Sequence, residues 1–292
     1  MEGELDIRYS FVIPHKNSKS LLQRCVNSIP YRNDIEIIVV DDNSIEEQKP
    51  YFPQDNITVI YINKEESKGA GHARNVGLKE VKGEWVLFPD CDDYYVNGFI
   101  DILESVRNKD INVVYFNCIY KDGQTGIELP KLSLNIDFEN YDGCRYSIDT
   151  IKFHHNAPWT KMIKRSWIKD NNLHFEEVVN GNDLFFSMSL GYSTDRIEVI
   201  KQPLYVYVRN QNSLTKKKLT PNEAMCVVKH TAQMNTFFKY IGYPKWSLPL
   251  LKIIVLYIKD GGFPFLLLLL KKLPNIISSR KDLINYACSN QF

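Results

Sequence analysis

Apolar runs and charged stops alternate along the first hundred residues. Ser10 to Ile13 is a short apolar run halted at Pro14, and Ser20 followed by Gln23 offers a capping box for a helix with Leu21, Cys25 and Ile29 on one face. Ile35 to Val40 is nearly continuous and β-branched, the pattern of a parallel strand covered on both faces, and it breaks at Asp41-Asp42-Asn43-Ser44. Ile57 to Ile62 alternates as a third strand, and Gly69 to Lys79 enters a helix through small residues. Glu84 to Phe88 is a fourth strand running into Pro89-Asp90-Cys91-Asp92-Asp93. This alternation predicts an α/β domain with a mostly parallel central sheet flanked by helices. From Pro221 the pattern changes: Ala224, Val227, Val228, Phe237 and Phe238 predict an appended helical segment over 220–292, following a body that spans 1–219.

In open parallel sheets ligands bind beyond the carboxyl ends of the strands, so two acidic strings at two such ends predict one crevice where Asp41, Asp42, Asp90, Asp92 and Asp93 converge. Each Asp alone reads as a turn residue or helix N-cap. Together, five carboxylates repel one another unless a cation sits among them, which points to a divalent metal. The chain holds neither a G-x-x-x-x-G-K-[ST] nor a G-x-G-x-x-G loop. Carboxylates with Mg²⁺ or Mn²⁺, and no glycine cradle, suit a diphosphate that departs as a leaving group.

Charge narrows the partners. Lys and Arg number 36 against 35 Asp and Glu in 292 residues, which argues against nucleic acid as a ligand. The six cysteines form no C-x-x-C pair and read as buried thiols of a reducing compartment. The acidic start, MEGELDIRYS, lacks the charge and apolar order of a secretory signal and predicts cytoplasmic residence. Leu248 to Leu270 is apolar but interrupted by Lys252, Lys259, Asp260, Gly261, Gly262 and Pro264, so it falls short of a membrane span. Trp246 to Lys272, with its FLLLLL run and Lys271-Lys272 end, suits peripheral contact with the inner face of the plasma membrane; a buried helix or a homodimer partner is the alternative.

Four strings, Phe11-Val12-Ile13-Pro14-His15-Lys16-Asn17, IIVVDDNS (Ile37 to Ser44), Gly71-His72-Ala73-Arg74-Asn75-Val76-Gly77 and FPDCDD (Phe88 to Asp93), resemble in order and spacing the inverting family 2 glycosyltransferases. The resemblance implies the GT-A fold, with a nucleotide-binding half over 1–110 and an acceptor half over 111–219. It implies a nucleotide-sugar donor, most often a UDP-sugar. Pro14, His15 and Asn17 would line the nucleotide site, Asp41 or Asp42 would recognise the base, and Arg74 would line the same pocket. Asp90 and Asp92 would hold ribose and diphosphate, and Asp92 and Asp93 would hold Mn²⁺ or Mg²⁺. His15 stands where the family more often has Tyr, and an imidazole can replace the phenol as a stacking and hydrogen-bonding group.

Gly181-Asn182-Asp183-Leu184-Phe185-Phe186 resembles the family's G-E-D-x-x-F segment, which implies Asp183 as general base, with Asn182 replacing an acid near the acceptor. Helix-start charge is the plainer use of such an Asp, and Glu176 and Glu177 are the fallback bases. Ala157-Pro158-Trp159-Thr160-Lys161 resembles the A-x-W-x-K segment, which implies Trp159 in the acceptor floor, against a core role for the same ring. The preceding His154-His155 pair reads as polar residues that cannot share one ion. Tyr205, Tyr207, Arg209 and Ser213 resemble a strand and lid over the diphosphate, with Arg209 offsetting its charge. The expected reaction is inverting, metal-assisted sugar transfer to a hydroxyl of a glycan or lipid-linked saccharide. An aspartyl phosphotransferase built on WVLFPDCDD and a non-catalytic nucleotide-sugar-binding module are the alternatives; the late position of the first string and the presence of Asp183 argue against them.

Overall fold

In the computed structural model, which describes residues 6–130, 138–178, 181–210 and 219–288, the first apolar run is strand β1 (Tyr9–His15). It does not stop at Pro14. Beyond Phe11 the strand pairs with β2 alone, the one-sided setting in which a residue without an N–H is tolerated. Helix α1 (Lys19–Asn27) starts one residue before Ser20, after Ser18, so the expected capping box is not formed. Its inward face is Leu22, Cys25 and Val26, with Ile29 just beyond, whereas Leu21 is only half-buried.

Strand β2 (Ile35–Asp42) carries its two terminal acids inside the strand, and β3 (Ile57–Ile62), α2 (Ala70–Leu78) and β4 (Trp85–Leu87) follow as the pattern predicts. β1 lies between β2 and β4, all parallel, and β3 pairs parallel with β2. Period-2 alternation splits the core into two layers. Phe11, Ile13, Ile37 and Val39 enter one, and Val12, Ile38, Val40 and Val86 enter the other.

The sheet then becomes mixed. After β5 (Tyr94–Tyr95), α3 (Phe99–Arg107), β6 (Val113–Asp122), α4 (Arg145–His154), β7 (Lys161–Lys164), α5 (Arg165–Asp170) and α6 (Leu184–Ser193) comes the long β8 (Ile197–Arg209). The eight strands are ordered β3-β2-β1-β4-β7-β6-β8-β5, with β7 antiparallel to both its neighbours and β8 parallel to β6. A register shift opposite Asn117 accommodates Pro203, and the Asn117 side chain donates to the Lys201 carbonyl at 3.1 Å. Beyond this bulge β8 brings Tyr205 and Val208 under the acidic loop that follows β4.

Helices α7 (Pro221–Tyr240), α8 (Leu250–Ser278) and α9 (Asp282–Cys288) form the predicted C-terminal segment. Thr220 and Glu223 make a complete capping box at the start of α7, with Pro221 in its first turn. The segment shares a core with the sheet domain: Phe153 and Met188 pack with Phe237, Phe238 and Leu283. His154, at the end of α4, stacks on Phe238, and His155 is buried, so neither is the polar loop histidine expected from sequence. No described helix is long and apolar enough to cross a membrane.

Candidate active site

The parallel strands deliver two acidic positions to one edge of the sheet, and the structure gives them different work. His15 and Asp41 are register partners on adjacent strands, so their side chains share a face, and His15 Nδ1 lies 2.7 Å from Asp41 Oδ1. The other ring nitrogen accepts the Ser18 N–H at 3.0 Å, and the side chain is fully buried. Asp41 also accepts from the Ser44 N–H at 3.0 Å and the Ser44 hydroxyl at 2.5 Å. Burial tends to raise the Asp41 pKa, but the His15 and Ser44 hydrogen bonds outweigh it and leave it below the ordinary value. His15 is therefore not a free stacking group, and Asp41 is spent on the loop. Asn17, exposed and in a left-handed conformation, is also tied to this loop: its side-chain Oδ1 accepts the Ile45 N–H at 2.9 Å. Pro14 is buried within the strand.

Asp42, one residue on, faces the opposite way. Its Oδ2 accepts from Lys16 Nζ at 3.3 Å, the Ser67 hydroxyl at 3.0 Å and the Gly69 N–H at 3.2 Å. Its Oδ1 is buried without a partner. An unpaired buried carboxylate oxygen is costly, and a donor N–H from a ligand would satisfy it.

The second acidic string folds into a tight loop around Tyr205. The phenol accepts the Asp90 N–H and donates to Asp93 Oδ2, both at 3.0 Å, while the Val208 N–H donates to Asp93 Oδ1 at 2.7 Å. Both oxygens of Asp93 are thus engaged and the residue is buried, so it anchors the loop while also lying in the acid cluster. Asp90, Asp92 and Asp93 each bring a carboxylate oxygen within 4.8 Å of the others, whereas Asp41 and Asp42 stand outside this cluster. The five acids expected in one crevice thus divide into this three-acid cluster and the pair at the end of β2. Burial, then the charge of Asp90, raises the Asp92 pKa; burial, then the charges of Asp92 and Asp90, raises that of Asp93 well above the carboxylate range. Crowded oxygens of this kind fit a hard divalent cation, with Asp90 and Asp92 the more open donors. Asn210 donates to Asp92 Oδ2 at 3.1 Å and Arg24 donates to the Asp92 carbonyl, two contacts that no string in the sequence announced.

Arg74 joins this cluster to the predicted base segment. Buried beneath the crevice, it donates to Asp90 Oδ1 at 2.5 Å and to Asn182 Oδ1 at 2.9 Å, with its guanidinium over Phe175. Asn182 is thus a link between the halves. Gly71 makes the approach feasible: a Cβ there would meet the Glu176 carbonyl at 2.1 Å. Asp183 stands at the start of α6 without a side-chain capping bond, which leaves the positive end of the helix as the helical reason for an acid there. Burial raises its pKa, opposed by the positive charges of Arg74 and Lys161.

A family model, "Glycosyl transferase family 2", matches residues 10–171, more than half of the chain. The chain belongs to glycosyl transferase family 2. Among similar proteins, the glycosyltransferase GlyG of Streptococcus pneumoniae is 29% identical over 237 residues, 75% of this chain and 77% of GlyG. The GalNAc(5)-diNAcBac-PP-undecaprenol beta-1,3-glucosyltransferase of Campylobacter jejuni is 31% identical over 139 residues, 45% of each. The crystal structure of S. aureus TarS 1-349 in complex with UDP-GlcNAc superposes with a TM-score of 0.60 at 20% identity, covering 96% of this chain and 82% of that one. The fold is therefore GT-A, and the protein is a glycosyltransferase.

Membership sharpens the remaining positions of this family 2 enzyme. Trp159, 9% exposed, stacks on Tyr205 at 5.0 Å and Tyr207 at 5.5 Å, so the ring expected in the acceptor floor is chiefly a core residue that backs the acidic loop. Lys161, which the A-x-W-x-K string contained without a role, is fully buried, and its ammonium donates to the carbonyls of His155 at 2.7 Å and Ala157 at 2.5 Å. Burial pushes its pKa down to about 7, against the charge of Asp183. Glu177 is a poor substitute base: hydrogen bonds from His72 and Lys68 hold it down at about 2. Glu176 pairs with His230 of α7 at 3.3 Å. Arg209 ends β8 one residue past the Asp93 anchor, and Ser213 with the expected lid lies outside the described residues.

Proposed function

We propose that this enzyme moves a sugar from a nucleotide diphosphate sugar, a UDP-sugar, to a hydroxyl of a glycan or lipid-linked saccharide, with inversion at the anomeric carbon. One observation carries the reading: Arg74 grips Asp90 and Asn182 at once, so the acid cluster and the segment that carries Asp183 are tied to one guanidinium. On this reading Asp42 accepts an N–H of the base, and Asp90 and Asp92 receive the ribose and diphosphate side. A divalent cation, Mn²⁺ or Mg²⁺, would be held by Asp92 and Asp90 and would supply positive charge for the departing diphosphate. On the same reading Arg209, at the end of β8, would add to that charge.

Asp183 takes the proton of the acceptor hydroxyl as its oxygen attacks the anomeric carbon, and the bond to the diphosphate oxygen breaks with its electron pair leaving on the nucleotide. One base suffices because no covalent sugar-enzyme species is needed. Two similar proteins support the donor and acceptor classes: TarS is seen in complex with UDP-GlcNAc, and the Campylobacter enzyme is a glucosyltransferase for an undecaprenol-linked saccharide.

Thermal melting with a panel of nucleoside diphosphates and their sugars tests the donor assignment. UDP and one UDP-sugar should raise the melting temperature, more so with Mn²⁺, through linkage to the native state. Stabilisation by another nucleotide alone, or by none, would overturn it.

The two neighbouring acids should separate in the same assay. Asp42→Asn should weaken UDP binding about tenfold, as expected for a lost charge-assisted hydrogen bond, with the fold intact. Asp41→Asn should instead lower the melting temperature while UDP affinity of the folded protein holds, because its carboxylate serves His15 and Ser44. Calorimetry showing the reverse pattern would exchange their roles.

A further inference from the structure

Helix α8 is apolar on nearly every side, yet only one side is covered. Gly262, with φ 63°, divides it into two halves. In the second half Phe265, Leu269 and Ile276 are buried against Ala224, Met225 and Val228 of α7. About half a turn away around the same helix, Phe263, Leu267, Leu270 and Ile277 are each at least 50% exposed. In the first half Leu250, Ile253, Ile254 and Tyr257 pack inward, and Leu251, Val255 and Leu256 point out. The exposed stripe therefore runs along both halves. A soluble helix normally turns polar residues to the side that faces away from its neighbour.

Charge decides what covers the stripe. Helix α8 carries four lysines, Lys252, Lys259, Lys271 and Lys272, against the single acid Asp260. All four lysines are exposed, and Arg280 and Lys281 follow in the next turn, also exposed. Lys252 and Lys259, one heptad apart, rise among Leu251, Val255 and Leu256, in the middle of the apolar stripe. Two copies facing each other through this surface would bury lysine against lysine, the residue that interface centres exclude. A bilayer accepts the same pattern: aliphatic stems lie along the acyl boundary while the ammonium groups reach anionic phosphates.

We propose that α8 lies in the plane of an anionic lipid surface and holds the enzyme there, its apolar stripe at the headgroup and acyl boundary. No part of this depends on the donor or on the identity of the base.

Flotation of the full chain with phosphatidylcholine vesicles, with and without phosphatidylglycerol, tests the assignment. The protein should float with the anionic vesicles, and added salt should weaken the association. Leu267→Glu/Leu270→Glu should reduce binding by at least about tenfold, since each exposed leucine loses its lipid burial. Lys252→Glu/Lys259→Glu should abolish the preference for anionic vesicles. Because these side chains are exposed, melting temperature and nucleotide-induced stabilisation should stay at the parent values in both variants. Failure of the parent protein to float would overturn the proposal. So would equal flotation by the Leu variant, or a dimer in sedimentation velocity that the Leu variant dissolves while vesicles bind neither.

Discussion

Replacing Asp183 by Asn is expected to lower sugar transfer by roughly two to four orders of magnitude, the usual contribution of a general base, while donor affinity stays near the parent value. The amide has the size of the carboxylate and can still accept hydrogen bonds at a helix start, so a capping residue would lose little on this change. The pH profile supplies a second check. A base works as the carboxylate, and burial raises the Asp183 pKa despite Arg74 and Lys161. Activity should therefore fall as pH drops through a value raised above that of an ordinary aspartate, and this acid limb should vanish from the residual rate of Asp183→Asn. Near-parent transfer by the variant would move the base to Glu176, since Glu177 is held at about 2 by His72 and Lys68.

Asp92→Asn is expected to remove the Mn²⁺-dependent part of donor binding, by about 100-fold or more, at or beyond the upper end of the range typical for disturbing an outer-shell partner. Asp93→Asn should act differently although it is the next residue. Its two oxygens receive the Tyr205 hydroxyl and the Val208 N–H, so the variant should melt earlier before it loses any metal response. Calorimetry of UDP with and without Mn²⁺, paired with melting curves, separates the two. Unchanged Mn²⁺ dependence in Asp92→Asn would refute the placement of the cation.

The strands of the first hundred residues were legible because continuous β-branched runs leave a buried parallel strand little alternative. Helix α1 starts after Ser18 and not at Ser20 because the turn after His15 decides between two serines, either of which can cap a helix. At the acids, the strings located the crevice but could not assign the roles. Asp41 and Asp42 differ only in which face of β2 they occupy, and Asp93 differs from Asp92 only through a tyrosine more than a hundred positions later. Partnership of this kind is set by tertiary contact, so residue type and spacing carry no trace of it. The same holds for Lys161, His15 and Asn210, whose partners lie on other elements or around a buried turn.

The base segment is also gripped from the far end of the chain. His230 of α7 sits so close to Gly181 that a Cβ there would fall 2.6 Å from its ring, and the Tyr286 hydroxyl of α9 meets the backbone of His174 across 112 residues of sequence. Domains generally fold as they emerge during synthesis, N-terminal parts first. The acidic crevice can therefore form on a nascent chain while the two helices that frame Asn182 and Asp183 have yet to be made. On such a chain the segment that carries Asp183 would reach its final packing only after α7 and α9 have been made.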